Sequence, residues 1–164
     1  MAMSLLRLTD ISIIYYLKDL LYKKGFLADK YNVLDSYPSD TAKVNIFPTI
    51  SVEANISRDK PLELGHSGLL EVVFILDVFA KGDGQADDVA YIIWEALKLE
   101  YPSVYDFNIA YPLDTLPVDY SGISTIASMS FSSPRIINVS APAYTEIIAE
   151  KFHRMVTFNC VVIK

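Results

Sequence analysis

The stretch from Leu69 to Leu99 constrains the fold more than any other. Its first part, Leu69 to Ala80, is a run of Leu, Val, Ile and Phe broken only by Glu71 and Asp77. β-Branched and aromatic residues lose rotamer freedom in a helix but pack well on a pleated surface. The run therefore predicts a strand near the middle of a sheet, apolar on both faces. The period then changes. Val89, Ile92, Ile93, Ala96 and Leu97 recur at helical spacing, with Asp88, Tyr91, Glu95 and Lys98 on the other side. Gly82 and Gly84 permit a tight reversal between the two segments. Asp83 is placed to cap the helix, and Asp87 and Asp88 fall in its first turn, where the helix dipole favours carboxylates. The unit is a strand, a turn and a helix folded back onto the sheet.

The rest of the chain is placed relative to this unit. Thr9 or Asp10 can cap a first helix running to about Lys24, with Ile13, Leu17, Leu20 and Leu21 on one stripe and Gly25 as its stop. Ile14, Tyr15 and Tyr22 widen its apolar face beyond one sheet contact, which suits a helix touching two surfaces, a neighbouring subunit being a candidate for the second. Tyr31 to Ser36 reads as a short strand, and Pro38 to Lys43 as a loop. From Thr49 to Ser57 the alternation is clean: Ile50, Val52, Ala54 and Ile56 share one face, Ser51, Glu53, Asn55 and Ser57 the other. That pattern predicts an antiparallel strand with one solvated or interfacial face.

Arg58 to Gly68 is longer than a hairpin needs, and long loops on compact domains carry function or motion. Beyond the second helix, Val104 to Ile109 reads as a short strand, and Pro112 to Asp119 as irregular. Thr125, Ala127, Met129 and Phe131 form a strand whose other face is lined by serines; it resumes after Pro134 as Arg135 to Val139, the proline marking an edge or bulge. Ala141 to Glu150 can form a helical turn or two. Phe152 to Ile163 closes the chain, with Val156, Phe158, Cys160 and Val162 opposite Met155, Thr157, Asn159 and Val161. The expectation is one α+β domain over residues 1–164, a mainly antiparallel sheet with two helices packed on one face.

Composition narrows the function classes. Hydrophobic residues make up 52% and charged residues 21%, which excludes a disordered chain. A net charge of −6 disfavours nucleic acid or an anionic membrane as principal partner. The one cysteine permits no intrachain disulfide. Leu5 to Leu21 is broken by Arg7, Asp10, Lys18 and Asp19, so it reads as a cytosolic helix rather than a leader or membrane span. Eleven tyrosines and eight phenylalanines fit either a β-rich core or a chain that buries surface against partners.

No motif of known chemistry emerges. Gly82-Asp-Gly-Gln puts a carboxylate where a bound phosphate would sit, so it reads as a turn and cap. His66, His153 and Cys160 are not at metal-ligand spacing, so no cofactor or metal is expected. His153 alternates away from the core face and is expected to meet solvent or a partner. Cys160, between Phe158 and Val162, reads as a buried thiol. Glu53, Glu71 and Asp77 could approach one another across strands, and a wet outer face is the simpler explanation. Serines 128, 130 and 132 line a strand without a nucleophile elbow. The chain does not read as an enzyme.

Asp77-Val-Phe-Ala-Lys-Gly-Asp-Gly-Gln-Ala-Asp-Asp-Val-Ala-Tyr-Ile-Ile-Trp-Glu-Ala-Leu-Lys98 resembles the strand–turn–helix of tailed-bacteriophage neck proteins of the tail terminator type. Pro61-Leu-Glu-Leu-Gly65, Val104-Tyr-Asp-Phe-Asn108 and Phe152-His-Arg-Met-Val-Thr-Phe-Asn159 stand around it in the order of that family. The resemblance implies a virion protein, assembled in the host cytoplasm, whose copies form a ring, commonly six-fold. The ring caps the tail tube, ends its polymerisation and meets the head connector or adaptor, with a tail sheath as a further partner. DNA only traverses the lumen. Alternatives are another neck component, such as a head-completion or tube-related protein, and a small ligand-binding domain or enzyme. A ring needs two different patches per subunit. The candidate contacts are Tyr15 and Tyr22 on the first helix, Arg58, Asp59, Lys60 and His66 in the long loop, Tyr111 and Asp114 in the irregular stretch, and Arg135 on the resumed strand.

Overall fold

The computed structural model describes residues 2–38, 45–56, 70–113, 115–139 and 152–163. Among these residues two helices, α1 (Leu5–Lys23) and α2 (Asp83–Leu99), accompany six strands: β1 (Asn32–Leu34), β2 (Thr49–Ile56), β3 (Leu70–Ala80), β4 (Ser103–Tyr105), β5 (Thr125–Asn138) and β6 (Phe152–Ile163). They form one sheet in the order β1-β2-β3-β6-β5-β4, antiparallel except for the β1–β2 pair. This is an α+β fold. The Arg58–Gly68 loop and the Ala141–Glu150 segment lie outside the described residues.

β3 and β6 form the spine, paired along their length from Leu70↔Val162 to Ala80↔Phe152. Side chains alternate across a strand, so Val72, Phe74, Leu76 and Val78 fall on one face with Val156, Phe158, Cys160 and Val162. All eight are almost completely buried, together with Leu17, Leu21, Val89, Ile93 and Leu97 from the helices. Full burial of a side chain of this size contributes about 1.5–3 kcal/mol.

α1 begins earlier than its sequence suggests. Ser4, not Thr9 or Asp10, is the N-cap; its side chain accepts from the Arg7 amide. Thr9 and Asp10 are employed within the helix instead: the Thr9 hydroxyl donates to the Leu5 carbonyl, and Asp10 pairs with Arg7 at 2.8 Å. The predicted stop is present. Gly25 has φ +92°, its N–H donates to Tyr22, and the Phe26 N–H donates to Leu21, the paired bonds of a Schellman cap.

At α2 the cap differs too. Gly82 is the N-cap and makes no side-chain cap bond, so Asp83 is the first helical residue. Its carboxylate bonds the guanidinium of Arg154, whose Nε also reaches Asp87 at 2.7 Å. With the cap one residue earlier, Asp87 falls just past the first turn, whose acidic residue is Asp83. Arg154, buried at the end of β6, thus clips α2 to the strand beneath it.

β4 is shorter than predicted, because Asp106 turns the chain by accepting from the Asn108 amide at 3.1 Å. β5 runs through Pro134 with a bulge between Ser132 and Arg135, where Ser133 adopts φ +51°.

Two glycines should respond oppositely to substitution, although a Cβ at either meets nothing within 4 Å. Gly25→Ala forces an L side chain into positive φ and should cost about 1–2 kcal/mol. Gly82→Ser supplies the missing cap acceptor and should stabilise by a few tenths of a kcal/mol. Urea denaturation of the two variants checks both signs.

Candidate functional site

Two regions gather functional side chains: the tyrosine-bearing side, where α1 meets residues 101–120, and the face of the sheet on which no helix lies among the described residues, here the helix-free face.

On the first, Tyr15 lies half-buried with its ring 5.5 Å from Phe107, and Lys18 sits over the Tyr15 ring. Tyr111 stacks on the same Phe107 at 5.5 Å and 17°. Two of the predicted contact residues are therefore brought together. Part of the wide face of α1 is covered from within the chain. Tyr22 is 38% exposed near the helix end. A groove of about 200 Å³ runs beside them, lined by Tyr15, Lys18, Tyr31, Val33, Leu113 and Leu116. A wider cleft of about 410 Å³ is walled by Tyr16, Asp19, Tyr101, Tyr105 and Tyr120. Tyr105 and Tyr120 stack face to face at 4.2 Å, and the Tyr16 hydroxyl donates to Glu100 at 2.7 Å. Arg58, Asp59, Lys60, His66 and Asp114 lie outside the described residues. Arg135 stands apart, exposed on β5.

Burial first, and then nearby acidic or phenolic groups, hold several hydroxyls in the neutral form. Tyr16 and Tyr120 are pushed well above the usual tyrosine range, and Tyr31 up to about 12. Burial likewise raises the Cys160 thiol to about 12, which marks an unreactive side chain.

The helix-free face corrects two expectations. His153 is not presented to solvent: it is 7% exposed, with Nε2 2.6 Å from Asp77 Oδ1. Phe79 stacks on its ring at 4.6 Å, and Tyr37 closes over Phe79 edge-on at 5.6 Å. Nor is this face of β2 uniformly wet, since Thr49 and Ser51 are buried while Glu53 is partly exposed and Asn55 exposed. Glu53 and Asp77 both act on Tyr37, whereas Glu71 lies at the far end of β3.

Ser51, Asp77 and His153 share this cluster, but their order is wrong for nucleophile activation. Ser51 stands opposite Asp77 on β3, and His153 opposite Phe79 on the far side of that strand. A hydroxyl is activated by touching an imidazole that the carboxylate orients from behind. Here the carboxylate occupies the middle strand, and the Ser51 hydroxyl has no partner among the described residues. The arrangement is a buried polar clamp. Its signal in the sequence is Asp77 itself, a carboxylate in a central apolar strand, which needs a buried partner. Among the described residues no group of His, Cys, Asp and Glu is placed to hold a metal ion.

Neither a protein-family model nor a curated protein matches this chain.

Two outcomes follow from this geometry. Raised tyrosine and thiol pKa values mean that the unfolded chain releases protons first as pH rises. Stability should therefore be fully present below about pH 9, where Cys160 starts to matter, and fall from about pH 10 upward as unfolded tyrosines ionise. Denaturation midpoints between pH 8 and 11 check the slope. His153→Ala strands the Asp77 carboxylate and should cost about 3–5 kcal/mol, whereas Asp77→Val combined with His153→Leu should recover most of that loss. A thermal-melt double-mutant cycle measures the difference.

Proposed function

We propose that this chain is a ring-forming neck subunit of a tailed bacteriophage, of the tail terminator type. Identical copies close around the end of the tail tube, stop its growth and present a surface to the head connector or adaptor; in a contractile tail the sheath is a further neighbour. The ring is assembled in the host cytoplasm and retained in the virion. DNA traverses its lumen, and a net charge of −6 keeps phosphates from sticking. The protein acts by docking, with no bond made or broken.

The observation that carries this reading is the apolar surface of residues 99–113. Leu99, Tyr101, Ile109, Tyr111 and Leu113 are all more than half exposed, Ile109 by 80%. Leu113 lines the groove beside Tyr15, and Tyr111 stacks on Phe107 next to it. Aromatic and aliphatic side chains turned outward in this number cost solubility unless a partner covers them. The resemblance of Asp77–Lys98 and its flanking pieces supplies the kind of partner: further copies, the tube and the connector.

Sedimentation and negative-stain imaging of the purified protein, alone and with tail tubes, test it. The expected result is a ring near six times 18.4 kDa, seated on tube ends. A particle of 18.4 kDa in both conditions, with bare tube ends, would overturn the reading.

A further inference from the structure

The sheet ends in two stepped edges. β1 covers only Thr49–Ser51 of β2, and β4 covers only Thr125–Ser128 of β5. Among the described residues, Val52–Ile56 and Ser130–Asn138 have no strand beside their outer edges. Unpaired backbone N–H and C=O groups in a row are a template for another strand. The two open stretches run in opposite senses, because β2, β3, β6 and β5 alternate direction. Continuing the sheet from one copy to the next therefore sets β5 antiparallel against β2.

The side chains at these edges are complementary. Glu53 pairs with Ile75, Ile75 with Thr157, and Thr157 with Arg135, so Glu53 and Arg135 occupy one row on the helix-free face at opposite edges. Neither forms an ion pair among the described residues. In the next row, on the helix side, Val52 and Ile136 correspond, and Ile136 is 39% exposed. A straight continuation sets Arg135 opposite Glu53 of the neighbour. A slide of two residues clears the neighbour's β1, keeps both faces matched, and leaves the pair on a diagonal of about 7–8 Å, within reach of an arginine. Pro134 and the bulge block pairing just before Arg135, and so restrict which register can form.

We infer that the β5 edge of one copy, around Arg135–Asn138, pairs with the β2 edge of the next, Val52–Ile56, and that Arg135 and Glu53 form the ion pair across this joint. The inference rests on the ring reading and names its contact. Such a joint is heterologous, the type that closes into a ring. It assigns Arg135 to the subunit contact and makes the tyrosine-bearing side available to other partners.

Charge exchange tests it. Arg135→Glu and Glu53→Arg should each weaken assembly, alone or on tail tubes, by roughly tenfold or more, because like charges then meet at the joint. The double variant should regain assembly, with circular dichroism and melting of all three unchanged. Single variants that assemble like the parent, or a double variant that stays as weak as the singles, would overturn the edge joint while leaving the ring intact. A parent protein that remains a monomer even beside tubes would instead remove the ring reading, and the joint with it.

Discussion

Everything in this molecule depends on the pairing of β3 with β6. Their backbone bonds hold two long apolar strands in one register, and that register decides which residues face the helices. A slip of β6 by one residue against β3 would turn Phe158 and Cys160 outward and bring Thr157 into the core. The register is fixed at the open end by apolar rows and at the other end by polar fasteners. Arg154 bonds Asp83 and Asp87 on the helix side, while His153 bonds Asp77 on the opposite face. Two adjacent residues of one strand thus pin both sides of the sheet.

This arrangement leaves the molecule asymmetric. Among the described residues one face carries both helices, and on the other Tyr37 packs on Phe79 and Phe79 on His153. Among the described residues the edges are short of strands at opposite corners, because β1 and β4 each contribute only three residues. The two open stretches differ from each other, as the two sides of the head-to-tail joint inferred above must. The outward apolar residues of 99–113 lie on neither open edge, so a copy joined through its edges keeps them for a different neighbour.

Much of this was legible in the residues. The β-branched run from Leu70 to Ala80 and the helical period from Val89 to Leu97 specified the central unit, because each carries one unmistakable repeat. The alternation of Phe152–Ile163 identified its core face correctly. What the sequence could not reveal depended on contacts between distant positions. Nothing near Asp83 in the chain indicates that Arg154 will take its carboxylate, so a helix cap was the natural local assignment. His153 looked exposed from its alternation alone, and only the pairing with β3 brings it beside Asp77. Ser4, Thr9 and Asp10 are equally good caps by type, and the packing of Leu5, Leu6 and Leu8 against the core selects Ser4. Arg135 was identifiable as a surface cation, but its row relationship to Glu53 exists only once four strands are in register.

The central claim is that copies are joined through backbone groups of the sheet edges. Amide hydrogen exchange reads those groups directly. The account predicts that on assembly the amides of Val52–Ile56 and Arg135–Asn138 slow together, while those of β3, already paired on both sides, change little. Protection confined to residues 99–113, with both edges exchanging as fast as in the separate subunit, would contradict it.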